Sequence, residues 1–252
     1  MNSNTRVFAA SALFCCFPFV SALAQTTTSI DPKARALLDT TVSMYLRTTS
    51  YSDTTSLSTT SNGMLTASGV KGLNFTASVA WQRPNLVRVV RTDIPLGKES
   101  AVSNGKIFCA ITPQHAGYFV DTAAGPNAIE DAIKIIRLNY PGLEILTGAD
   151  NVLSMQSKGL TSLSMGSTTS LNGIAMQSVV GTLSTTNGGT AVETFLIGVK
   201  DGCLHRLILD YSGKGGYLDF VETHSNIKLN PALPLSTFIF TPPPHARPES
   251  TF

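Results

Sequence analysis

LNFTASVAWQRPNLVRVVRT, residues 73–92, decides how the chain is read, together with SNGKIFCAI, residues 103–111. Leu73, Phe75, Ala77, Val79 and Trp81 alternate with Asn74, Thr76, Ser78, Ala80 and Gln82. Side chains two apart on a strand share a face, so the alternation predicts a strand with one apolar and one mostly polar face. Arg83-Pro84 ends it, because proline has no N–H for a ladder and holds the residue before it extended. A second strand is expected over 86–92, then a loop at 94–97. Asn104-Gly105 turns the chain into a third strand over 106–111. Three successive strands with one apolar face predict a curved antiparallel sheet wrapped around something apolar.

Upstream, Asp31-Pro32 opens a helix reaching about Arg47, with Asp31 as its cap and Pro32 at the first helical position. Ala34, Leu37, Leu38, Thr41, Met44 and Tyr45 form one stripe at helical spacing, so one face is meant to be covered. A Thr- and Ser-rich strand follows over 51–60. Downstream, Gly117 to Asp121 is a short strand. Asn127 and Glu130 then form a capping box for a second helix from Ala128 to about Leu138, with Ile129, Ala132, Ile133 and Ile136 on one face. Residues 154–172 carry no clear pattern. Strands are expected again over 174–184, 191–200, 203–211 and 217–228, separated by turns at Asn187-Gly188-Gly189, Asp201-Gly202 and Gly213-Lys214-Gly215-Gly216. Helix, strands, helix, strands is an α+β layout with both helices on one side of the sheet.

The first 24 residues read as a secretory signal: a short polar start with Arg6, an apolar run over 7–20, and Ser21-Ala22-Leu23-Ala24 as the cleavage site. The apolar run is shorter than the roughly 20 residues a spanning helix needs, and Pro18 interrupts it. A lipid-modified Cys15 or Cys16 is the other option, but Phe14 stands where a small residue is expected. The expectation is a periplasmic or secreted protein that does not span the membrane, with residues 25–252 forming one domain. Removing Arg6 leaves a formal charge of +1 from the +2 of the whole chain, which points away from nucleic acid as a partner. Cys109 and Cys203 remain; an exported protein permits a bridge, and two buried thiols are the alternative.

Catalytic sets are missing. His115, His205, His224 and His245 lack metal spacing, and neither a Gly-x-Ser-x-Gly elbow nor a phosphate loop is present. No cofactor, metal or catalytic residue is expected. His205, close to Cys203 on an apolar strand, reads as a buried, satisfied histidine.

Aromatic-x-Arg83-Pro84-Asn85-Leu86, followed by Asn104-Gly105-Lys106 opening a strand, resembles the LolA-like periplasmic carriers, and in particular a family of predicted periplasmic proteins. Phe238-x-Phe240-Thr241-Pro242-Pro243 with Ala246 is similar to their terminal signature. Phe108-Cys109 and His245 depart from the family pattern. The resemblance covers most of residues 31–246. It implies a strongly curved antiparallel half-barrel with helices packed in its concave face, and a function in lipid binding, lipoprotein carriage or lipid sensing. On that basis the ligand, a lipid or acyl chain, is expected against Phe75, Val79, Trp81, Val87, Val89 and Phe108 of the sheet and Leu38, Tyr45 and Ile133 of the helices. Arg83 is expected at the mouth, facing an anionic head group. Plain core packing is the alternative for each apolar residue. A docking module for an envelope protein, with a self-filled core, is the alternative for the whole.

Overall fold

A two-residue strand, β1 (Ser29–Ile30), leads into α1 (Pro32–Arg47). Asp31 caps the helix, its carboxylate accepting the Lys33 N–H at 2.8 Å. The strands that follow are β2 (Ser50–Ser61), β3 (Asn74–Gln82), β4 (Leu86–Ile94), β5 (Gly97–Asn104), β6 (Phe108–Ile111) and β7 (Tyr118–Asp121). After α2 (Ala128–Ile135) come β8 (Leu160–Leu171), β9 (Ile174–Ser184), β10 (Thr190–Gly198), β11 (Leu204–Gly213), β12 (Gly216–Leu229), a 3-10 turn (Leu235–Phe238) and β13 (Pro248–Glu249). The computed structural model describes residues 28–62, 74–94, 97–111, 117–121, 125, 128–135, 159–184, 188–213 and 216–249. The signal-like start, the capping Asn127, and the end of the second helix expected beyond residue 135 lie outside these.

All thirteen strands of the described residues belong to one sheet, ordered β1-β8-β9-β10-β11-β12-β2-β3-β4-β5-β6-β7-β13. The two outermost pairs are parallel and every inner pair is antiparallel. The sheet is strongly curved and does not close. Register shifts in β2/β12, β4/β5, β8/β9 and β10/β11 supply bends, since an extra residue on one strand kinks it and raises its twist.

Both α-helices of the described residues pack in the concave face, α1 over β8 and β9, α2 over β4, β5 and β6. Their apolar stripes, including Leu38, Tyr45, Ile129 and Ile133, join the inward side chains of the sheet in one hydrophobic cluster. Burying one such Leu, Ile, Val or Phe side chain contributes about 1.5–3 kcal/mol. The fold is the expected α+β half-barrel.

The motif around Arg83 has a local reason. The Asn85 side chain donates to the Gly105 carbonyl at 3.1 Å, tying the turn after β3 to the turn after β5. Gly105 sits at φ +87, where a side chain is strained. Strand β5 was not expected: Ala101 and Val102 are adjacent and serines fall on both faces, so no alternation announces it. Strand β8, in the region without a pattern, is hidden the same way by Ser and Thr on both faces. The terminal signature lies on the opposite, convex face. Phe238 is buried, and Phe240 meets Tyr118 at 5.3 Å between ring centroids.

Candidate functional site

The structure brings nine of the ten expected ligand-facing residues together. Phe75, Val79 and Trp81 of β3, Val87 and Val89 of β4, Phe108 of β6, Leu38 and Tyr45 of α1, and Ile133 of α2 are all buried in the concave-face cluster. Arg83, in the turn after β3, is half-buried. Its Nε donates to the Thr48 carbonyl at 3.2 Å, at the end of α1, and its guanidinium lies 5.0 Å from the Trp81 ring centroid.

An aromatic row crosses from helix to sheet. Tyr45 meets Tyr51 edge-on at 5.9 Å, and Tyr51 stacks on Trp81 at 5.4 Å with 19° between planes. The Tyr45 hydroxyl accepts the Leu204 N–H at 3.0 Å, and the Tyr51 hydroxyl donates to Asp53 Oδ2 at 3.0 Å. Burial pushes both hydroxyl pKa values well above the ordinary tyrosine value, aided for Tyr45 by Cys203 and for Tyr51 by Asp53. Both therefore stay protonated.

Beside this row the concave face turns polar, which the sequence reading missed. His224 Nδ1 lies 2.7 Å from Asp53 Oδ2, and His224 Nε2 lies 3.3 Å from Glu222 Oε1; all three side chains are fully buried. Burial acts to lower the imidazole's pKa. The two carboxylates outweigh it and raise the value to about 10, so His224 is an imidazolium at neutral pH. Thr55 Oγ1 adds a hydrogen bond to Asp53 Oδ2 at 2.9 Å. Two strands away, Arg91 pairs with Glu99 at 3.3 Å and lies 4.3 Å over the Phe75 ring. One cross-strand row links the two groups, His224–Thr55–Ala77–Arg91–Glu99.

A signal for this cluster existed. Tyr51, Asp53, Thr55 and Leu57 are two apart on β2, as are Phe220, Glu222 and His224 on β12. Strand periodicity alone puts each set on the face of its apolar member. The partnership across β2 and β12, 171 residues apart, needed the strand order.

His205 is the buried, satisfied histidine that was expected. A bulge opposite Leu196/Ile197 inserts it out of register, where its Nε2 meets Asp201 Oδ2 at 2.9 Å. Cys109 and Cys203 are both free and buried. Cys203 belongs to the concave-face cluster, whereas Cys109 lines a groove on the convex face with Phe238 and Phe240. Burial pushes both thiols up, Cys203 to about 11. Among the described residues no group of three or more His, Cys, Asp or Glu could hold a metal ion.

The family described as "Predicted periplasmic protein (DUF2092)" matches residues 34–248. No curated protein matches the sequence at a significant level. Among solved structures, the lipoprotein LppX of Mycobacterium tuberculosis aligns with a TM-score of 0.48 and 16% identity over 81% of this chain and 99% of that one. LprF of Mycobacterium bovis aligns at 0.47 and 15%, over 82% and 97% of the two chains. A LolA superfamily protein of Nitrosomonas europaea aligns at 0.39 and 12%, over 82% and 97%.

Proposed function

Since the chain belongs to the DUF2092 family of predicted periplasmic proteins, we propose that it is an exported, non-enzymatic binding protein that takes a lipid or acyl chain between its helices and the concave face. One observation carries this reading. Two separate helices cover opposite parts of the curved sheet, and both join its aromatic and aliphatic side chains in one cluster. An acyl chain entering such a cluster gains about 0.8 kcal/mol per buried methylene, and helices carried on separate segments can part to admit it. Cleavage after Ala24 and a single domain over residues 25–252 belong to the same reading.

Docking on an envelope protein is a second reading, and a feature of the convex face favours it. A groove of about 270 Å³ lies between β5–β7 and the C-terminal segment, with Ile107 and Ile239 exposed among its lining residues and Leu235 exposed nearby.

The test is a native mass spectrum of the protein purified from a bacterial periplasm. Extra mass that leaves on denaturation and matches a lipid or fatty acid is expected. A bare protein mass that takes up no added lipid overturns the lipid reading in favour of docking.

A further inference from the structure

Buried polar atoms are normally paired, and a bare one calls for a partner the chain does not supply. Among the described residues, Arg83 Nη2 and the ion-paired His224 Nε2 are buried without a hydrogen bond, and so are three atoms of the inner sheet, Asp53 Oδ1, Trp81 Nε1 and Arg91 Nε. All three stand on the concave face, on the adjacent strands β2, β3 and β4.

Asp53 is the sharpest case. Its Oδ2 takes three donors: Tyr51 Oη at 3.0 Å, Thr55 Oγ1 at 2.9 Å and His224 Nδ1 at 2.7 Å. Its Oδ1 takes none. Tyr51 is opposite Trp81 and Asp53 is opposite Val79, so Asp53 and Trp81 are diagonal neighbours, with backbones about 7–8 Å apart. Tyr51 touches both, its ring on the Trp81 indole and its hydroxyl on the Asp53 carboxylate. A bare acceptor and a bare donor thus flank one ring.

The chemistry narrows the occupant. A hydroxyl both accepts from an N–H and donates to a carboxylate; a carboxylate or phosphate only accepts. On the Asp53 side the surroundings also disfavour an anion, because Asp53 and Glu222 set two carboxyl groups against the one imidazole of His224, whereas the Arg83 guanidinium lies on the Trp81 side, 5.0 Å from the ring centroid. Resting on the lipid-binding reading, we infer that the Asp53–Trp81 edge is the polar subsite of the concave face and holds a hydroxyl of a neutral amphiphile of the acylglycerol kind, in preference to the carboxylate of a free fatty acid.

Trp81 is the only tryptophan in the chain, so its fluorescence reports on this site directly. Delipidated protein is titrated at pH 7.5 with 1-monopalmitoylglycerol and, separately, with palmitate. The expected result is binding of the monoglyceride about tenfold or more tighter, the size of one hydrogen bond to a charged group. Asp53→Asn should narrow that ratio to less than about threefold. Trp81→Phe, followed by native mass spectrometry, should weaken the monoglyceride about tenfold more than it weakens palmitate. Palmitate binding as tightly as the monoglyceride overturns the inference, since it means that Asp53 Oδ1 holds only a buried water. So does a Trp81→Phe protein with an unaltered preference. If Asp53→Asn does not fold, the wild-type preference and Trp81→Phe decide. Binding of neither probe overturns the lipid reading along with this one, which separates the two failures.

Discussion

His224 Nδ1 and Asp53 Oδ2 lie 2.7 Å apart across β12 and β2, with both side chains fully buried. Removing one partner of a buried charged pair strands the other without solvent. His224→Ala is therefore expected to destabilise the fold by about 3–5 kcal/mol, and Asp53→Ala by a similar amount. Urea unfolding of the single and double variants checks this. The double variant should cost less than the two singles combined, because the second deletion removes a charge already unpaired.

The same pair sets a pH dependence. His224 holds its proton to about pH 10 in the fold, whereas an unfolded histidine releases it near 6.5. The folded state binds the proton more tightly, so this stabilisation is complete below about pH 6.5 and is lost as pH rises toward 10. Unfolding midpoints should fall steadily between about pH 6.5 and 8.5, before the thiols of the unfolded chain ionise. His224→Gln should flatten that slope. An unchanged slope in the variant would assign it to other groups.

Cys109 on β6 and Cys203, which precedes β11, lie on opposite faces of the sheet, with β12, β2, β3, β4 and β5 between those two strands. The intact mass should not change on reduction, whereas a bridge would shift it by about 2 Da. Native protein at pH 7.5 should react slowly with iodoacetamide at both thiols, since burial holds each in its unreactive protonated form.

Arg83 joins the end of α1 to the Trp81 ring. Arg83→Ala should still fold but lose about 1–2 kcal/mol, from one hydrogen bond and one cation–π contact. Thermal unfolding measures the loss. If Arg83 also faces a head group, the folded variant should bind added lipid more weakly; unchanged affinity would remove Arg83 from the ligand site.

The alternation from Phe75 to Trp81 made the concave face legible from sequence, and the stripe of α1 supplied Leu38 and Tyr45. These residues are large and apolar, and their spacing alone states which way they point. Asp53, Thr55, Glu222 and His224 obey the same spacing, but polar residues on a strand read as solvent-facing until a partner strand is known. The pairing of β2 with β12 closes a loop of most of the chain, and no local pattern encodes it. His205 is buried and satisfied, as its apolar strand suggested; only its partner Asp201 and the bulge that leaves it unpaired with β10 were hidden.

The two ends of the sheet carry a further consequence. Each is finished by a two-residue strand running parallel to its neighbour, β1 on β8 and β13 on β7. An open sheet this wide offers unpaired backbone at both margins, which is a template for polymerisation through strand addition. Here the chain's own flanking segments occupy part of each margin and end after two residues. Over those residues a second copy arriving edge-on meets a stub of two residues in place of the longer edge of β8 or β7.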